Sequence, residues 1–130
     1  LKIINNSSFN HSVIKQQNVE FTPILTPKVI INQECAYSIK NLIFNISVRY
    51  QSESYMDFEN SNSLNEYLLI NGRIDYAINQ YYSASIFINN INDNYYFNNG
   101  VVNTDENGNK TRNYFVQAPR NIYFSFKASF

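Results

Sequence analysis

The chain is poor in the residues that bend, crosslink or charge a protein. Glycine and proline occur only three times each in 130 residues, too rarely for a linker or a low-complexity segment. Cys35 is the single cysteine, which excludes an internal disulfide framework and a cysteine-based metal cluster. Ten basic residues balance ten acidic ones, so the electrostatic footprint of a nucleic-acid surface is missing and no nucleic-acid partner is expected. No apolar run approaches the roughly eighteen residues that mark a membrane-spanning helix. The lone histidine, His11, lies in a polar stretch without a paired Ser or Cys or metal-ligand spacing, and reads as a surface residue. A Gly-rich phosphate loop and a G-x-S-x-G element are both lacking, so neither catalysis nor a metal or cofactor is expected. The chain opens at Leu1 in mid-pattern, without an initiator methionine or signal peptide, and is expected to be a piece of a longer protein.

Asparagine is abundant, with 23 residues, alongside 11 Tyr and 10 Phe. AT-rich codon usage can raise these totals but does not decide where the aromatics fall. Their placement follows a period of two nearly throughout, the signature of β-strands with one apolar face. In residues 28–39, Val29, Ile31, Cys35, Tyr37 and Ile39 share a face, opposite Asn32, Glu34 and Ser38. Residues 42–51 repeat the scheme with Leu42, Phe44, Ile46, Val48 and Tyr50 against Asn45, Ser47, Arg49 and Gln51. A two-residue turn at Lys40-Asn41 pairs Ile39 with Leu42, Tyr37 with Phe44 and Cys35 with Ile46, which makes the apolar faces coincide.

Residues 66–79 form a third such run, with Leu68, Ile70, Ile74, Tyr76 and Ile78 apolar and Asn71, Arg73 and Asp75 opposite. A three-residue turn, Asn79-Gln80-Tyr81, brings Tyr82, Ala84, Ile86 and Ile88 into register with it. The last strand runs from Ile122, with Phe124, Phe126, Ala128 and Phe130 against Tyr123, Ser125, Lys127 and Ser129. A further strand with weaker alternation is expected near the start, within 1–10.

Long polar links, at 11–27, 52–65 and 94–119, alternate with the two short turns. The runs of about ten to fourteen residues exceed the usual strand of about five or six and suffice for a tilted membrane-spanning strand of roughly 9–11. In hydrocarbon only helices and closed barrels satisfy their backbone. Barrels show an apolar lipid face, a polar lumen face, short turns at one end and long loops at the other. The fold expected is all-β: an antiparallel meander of about six long strands, the C-terminal part of a transmembrane β-barrel, spanning 1–130. Glu34, Arg49, Arg73, Asp75 and Lys127 would line the lumen, with Arg49, Arg73 and Asp75 able to form a charge network. Tyr37, Phe44, Tyr50, Tyr76, Tyr82 and Phe130 would sit toward strand ends at the membrane interface.

A half-buried sheet in a secreted sandwich that binds glycans also alternates, and a small outer-membrane adhesin or structural barrel is a second alternative. Strand length, the sorting of loops by end and the exposed terminal strand favour a barrel over the sandwich, and a small barrel needs about eight strands where six are countable. The stretch "DENGNK" at 105–110 has its glycine misplaced for a calcium loop, and Asn107-Gly108 is expected to be a type I′ hairpin tip. Tyr95, Tyr96, Phe97, Tyr114 and Phe115 lie amid asparagines in the longest link, a mixture suited to stacking and hydrogen bonding with a small molecule or glycan.

Three stretches resemble the end of a TonB-dependent outer-membrane receptor: "APRNIYFSFKASF", "SASIFINNINDNYY" and the hairpin "YLLINGRIDYAINQYYSASIFINN". The family's closing strand follows an Ala-Pro-Arg or Pro-Arg element and ends in Phe. Its penultimate strand runs into Asn-Asn, an aspartate and a tyrosine. Asn92 departs from the pattern, standing where the family usually places an aromatic. The resemblance spans roughly 28–130. It implies a 22-stranded barrel around an N-terminal plug, in the outer membrane of a Gram-negative bacterium. Such a receptor imports scarce nutrients such as an iron-siderophore, cobalamin or glycan with energy delivered by TonB. Its closing strand, here Ile122, Phe124, Phe126 and Phe130, would be read by the barrel-assembly machinery. The implied partners are outer-membrane lipid, the remaining strands and plug, and TonB through a region absent from this chain.

Overall fold

The computed structural model describes residues 1–16 and 18–130. In chain order its strands are β1 (Lys2–Phe9), β2 (Ile14–Gln16), β3 (Val19–Phe21), β4 (Val29–Ile39), β5 (Leu42–Gln51) and β6 (Ser54–Tyr55). They continue with β7 (Ser63–Leu64), β8 (Tyr67–Ala77), β9 (Tyr82–Asn89), β10 (Phe97–Thr104), β11 (Lys110–Val116) and β12 (Asn121–Ala128). Six of them form one antiparallel sheet in the order β1-β4-β5-β8-β9-β12, a meander in which each chain neighbour within the sheet is also a spatial neighbour. The other six form three small hairpins, β2-β3, β6-β7 and β10-β11, one within each long link.

The registers follow from the apolar pattern. Ile39 faces Leu42, Tyr37 faces Phe44 and Cys35 faces Ile46. Across the second short turn Tyr76 faces Ala84 and Ile74 faces Ile86. A slip of one residue would turn every apolar side chain to the other face. Lys40 reaches a positive φ of 51° to close the first turn, and Asn41 ties that turn to the next strand through Ala77 (2.9 and 3.0 Å).

Strands of the sheet run 8 to 11 residues: β4, β5 and β8 reach the ten to fourteen expected, and β1, β9 and β12 are shorter. At the outer end of β9 the cause is visible. Asn90 takes a left-handed φ of 52° and turns the chain out of the sheet. The side chain of Asn92 then stands in for a strand, accepting from Ile70 N at 3.1 Å and donating to the Leu68 carbonyl at 2.8 Å. A phenylalanine at position 92 could make neither bond.

Neither face of the sheet is covered by another sheet among the described residues. One face is apolar and open: Ile122, Phe124 and Phe126 are 57%, 76% and 65% exposed. In place of a sandwich core, the buried apolar residues among those described are Met56, Leu64 and Tyr67, all near the long-loop end. The apolar face carries polar residues that the sequence reading passed over, Ser7 opposite Ile31 and a pair of amides beside it. Asn5 and Gln33 oppose each other across β1 and β4, in line with Val48 on β5.

Candidate functional site

The sheet separates two surfaces, and the polar one holds the charged residues. Arg73 and Asp75, two apart on β8, point the same way and form an ion pair through Nε (2.8 Å) and Nη2 (2.7 Å) to the same carboxylate oxygen. Ser85, directly opposite on β9, donates to that oxygen at 2.5 Å. The Arg73 guanidinium lies 4.7 Å from the ring centre of Phe87. Phe87 stacks in turn on Tyr123 of β12, with centroids 4.5 Å apart and planes within 9°. Cation, aromatic and aromatic thus cross three neighbouring strands as one layer. Tyr123 fell on the wet face in the sequence reading, but Phe87 was missed. Its position opposite Arg73, once the β8-β9 register was drawn, was the signal that could have found it.

Arg49 does not join that network, contrary to expectation. It bonds Asn32 and Gln51 at 3.2 Å each, and Tyr67 completes the chain by donating to Gln51 at 2.9 Å. The separation follows from strand geometry: Arg49 faces Leu69 in register, four residues along β8 from Arg73, too far for a side-chain bond. Glu34 and Lys127 lie on the same polar face but enter none of the ion pairs found among the described residues. Glu34 borders an open groove of about 480 Å³ that Asn45, Asn71, Arg73, Asp75 and Phe87 also line.

The aromatics of the apolar face gather at the short-turn end. Tyr82 stacks with Phe126 at 5.8 Å and meets Phe130 edge-on at 6.4 Å. Tyr37, Phe44 and Tyr76 lie on the same face near the two short turns. Tyr50 and Phe9 belong to the loop end, where the Tyr50 hydroxyl donates to Glu66 at 2.6 Å.

All three long links emerge at the end opposite the short turns, as their spacing predicted. The structure divides the five aromatics of the last link into separate environments. Tyr95, Phe97 and Tyr114 form a ladder, with Tyr95 edge-on to Phe97 at 5.1 Å and Phe97 stacked on Tyr114 at 4.6 Å. Tyr96 turns away to pack on Tyr67 at 4.7 Å, and burial raises its phenol pKa above the ordinary value. Phe115 is exposed and stacks on none of these rings. The hairpin tip is not type I′. Only Gly108 is left-handed, at φ 84°, and its N–H donates to the Asp105 carbonyl at 3.0 Å. A type I turn followed by a left-handed glycine results, the usual three-residue hairpin loop. The Asp105 carboxylate fills the turn from within, accepting from the amides of Asn107 and Asn109. His11 is exposed.

The three links also bind one another. The amide side chain of Asn60 exchanges two bonds with the backbone of Thr22 (2.7 and 3.0 Å). Leu25 N donates to the Tyr55 carbonyl at 2.7 Å, and Phe21 meets Phe58 edge-on at 5.6 Å. On the other side Lys110 pairs with Glu59, and β10 lies against β7.

No protein-family model and no curated protein sequence matches the chain. Solved structures do. The siderophore receptor PiuA from Acinetobacter baumannii superposes with a TM-score of 0.75 at 13% identity, over 96% of this chain and 19% of that one. The ferric-catecholate import receptor Fiu from E. coli K12 gives 0.71 at 13% identity, over 96% and 18%. The ferric yersiniabactin uptake receptor FyuA from Yersinia pestis gives 0.70 at 14%, over 82% and 17%. The chain spans less than a fifth of the length of each receptor. The likeness is one of fold: the six-stranded sheet is arranged as a segment of these receptors' structures is.

Proposed function

We propose that the chain is the C-terminal, barrel-closing part of a TonB-dependent outer-membrane receptor that takes up a scarce nutrient such as an iron-siderophore, cobalamin or glycan. The observation that carries this reading is the uncovered apolar face of a six-stranded sheet whose polar face holds the Arg73–Asp75 pair. Superposition of that sheet on receptor barrels supports it further. A soluble protein would expose this apolar surface to water, whereas lipid accepts it.

In this reading Ile122, Phe124 and Phe126 meet lipid, and with Phe130, two residues past β12, they are presented to the assembly machinery. Glu34, Arg49, Arg73, Asp75 and Lys127 face the lumen and the plug. The long links stand outside the cell, where the Tyr95-Phe97-Tyr114 ladder offers ring faces to a ligand. The chain's own work is to close the wall and hold that surface. Energy from TonB enters through segments that it does not contain.

Deletion of the encoding gene tests the proposal, with growth scored on ferric siderophores, cobalamin or glycans as sole sources. Loss of uptake of one nutrient, matched by loss in a strain without TonB, is the expected result. Unchanged uptake of every nutrient, or recovery of the protein from the soluble fraction, would overturn it.

A further inference from the structure

We infer that the 52–66 link is a keystone that fixes the β10-β11 hairpin in one position, so that the three long links present a single preformed surface and do not move separately. Gly100 is the contact on which this turns. A methyl group placed there would stand 2.5 Å from Met56 Sδ, 3.0 Å from the Asn113 carbonyl oxygen and 3.3 Å from Leu64 Cδ2. The backbone of β10 therefore seats directly on the buried side chains of the 52–66 link, and a side chain at position 100 would have to displace Met56 and crowd the Asn113 carbonyl of β11.

Two further contacts hold the hairpin against rotation about this point. Near its base, Tyr96 packs on Tyr67. Near its tip, Lys110 pairs with Glu59. The base is anchored by buried Asn90, whose side chain bonds Asn94 N and O at 2.9 Å each and the Ala118 carbonyl at 3.4 Å. The 52–66 link is itself braced from the other side by the Asn60–Thr22 exchange. Met56, Leu64 and Tyr67, the buried apolar residues among those described, all belong to this cluster. Contacts of this density distinguish a cooperative unit from independently opening loops.

The test is limited proteolysis of the purified, folded full-length protein in detergent, with cuts after Lys110 and Arg112 mapped by mass spectrometry. Slow cleavage is expected in the unaltered protein. Gly100→Ala is expected to raise it about tenfold, in proportion to the undocked population. Adding Met56→Ala removes the sulfur that the new methyl meets, and is expected to return cleavage toward the original rate. Rapid cleavage of the unaltered protein, or no change with Gly100→Ala, would overturn the inference. Folding of each variant is checked by heat-modifiable migration on gels. Should Gly100→Ala fail to assemble, Met56→Ala alone serves: it empties the seat without adding bulk, and unchanged cleavage would count against the keystone.

Discussion

The backbone N–H of Arg120 donates to Oδ1 of Asp93 at 3.0 Å, while Nη2 of the same arginine stands 3.5 Å from Oδ2. Arg120 Nη1 also reaches the Ile91 carbonyl at 3.4 Å. Two stretches that the sequence presents separately, Asn-Asn…Asp after β9 and Pro-Arg before β12, are one latch in space. It joins the exit of β9 to the entry of β12 and spans the whole excursion through the β10-β11 hairpin. Asp93→Ala is expected to destabilise the folded protein by about 1 kcal/mol, the net worth of one hydrogen bond. The exposed ion pair adds little to this. Denaturant unfolding in detergent measures it, and Asp93→Asn should recover most of the loss.

The two faces of β5 predict opposite tolerance to charge. Ile46 lies mid-strand on the apolar face and Ser47, its neighbour, on the polar one beside Asn71. Ile46→Arg is expected to cost roughly 2–4 kcal/mol, the depth-dependent cost of a basic residue facing lipid. Ser47→Arg should cost little. Assembly yield and unfolding midpoint in detergent or liposomes distinguish them, and equal effects would argue against a lipid-facing surface.

Asn5 and Gln33 place two amides opposite each other on that same apolar face. Replacing both by leucine is expected to raise stability by about 1–3 kcal/mol, because amides gain little from hydrocarbon in place of water. A lower unfolding midpoint in the double variant would indicate that this part of the face meets protein.

The loop at 57–62 should respond to acid. Burial pushes the Asp57 carboxyl upward, but bonds from the side chains and backbone amides of Ser61 and Asn62 outweigh it and hold the pKa at about 2, against 3.8 for the free group. The folded pKa is depressed, so the stabilisation is complete above the unfolded value and disappears as pH falls through the folded one. Loosening is expected between about pH 4 and about pH 2, read as faster hydrogen exchange at the Ser61 and Asn62 amides. Asp57→Asn should abolish this pH dependence.

The aromatic ladder carries a prediction about ligand binding. On the proposed uptake function, Tyr95→Ala and Tyr114→Ala are each expected to weaken nutrient binding by about twofold to tenfold, the worth of one aromatic contact of about 0.5–1.5 kcal/mol. Phe115→Ala, outside the ladder, should leave affinity unchanged. Isothermal titration with the nutrient identified by uptake provides the comparison.

The period-two pattern by itself determined the six sheet strands, their antiparallel order, the two short turns and which side chains share a face. All of these depend on local alternation and on the length of the connection between neighbours. Ile39 opposite Leu42 needed no more than that. Alternation also placed Arg73 and Asp75 on one surface, but could not say that Arg49 would bond elsewhere, because that depends on distance along a neighbouring strand. The loops were less legible, since asparagine-rich links lack a period from which to read a register. Only tertiary structure decided that Tyr96 packs on Tyr67 while Tyr95, Phe97 and Tyr114 form a ladder, that Asn92 replaces a strand, and that Gly100 seats on Met56. Each of these joins residues through space, where contact depends on how a backbone turns out of the sheet and not on spacing along the chain.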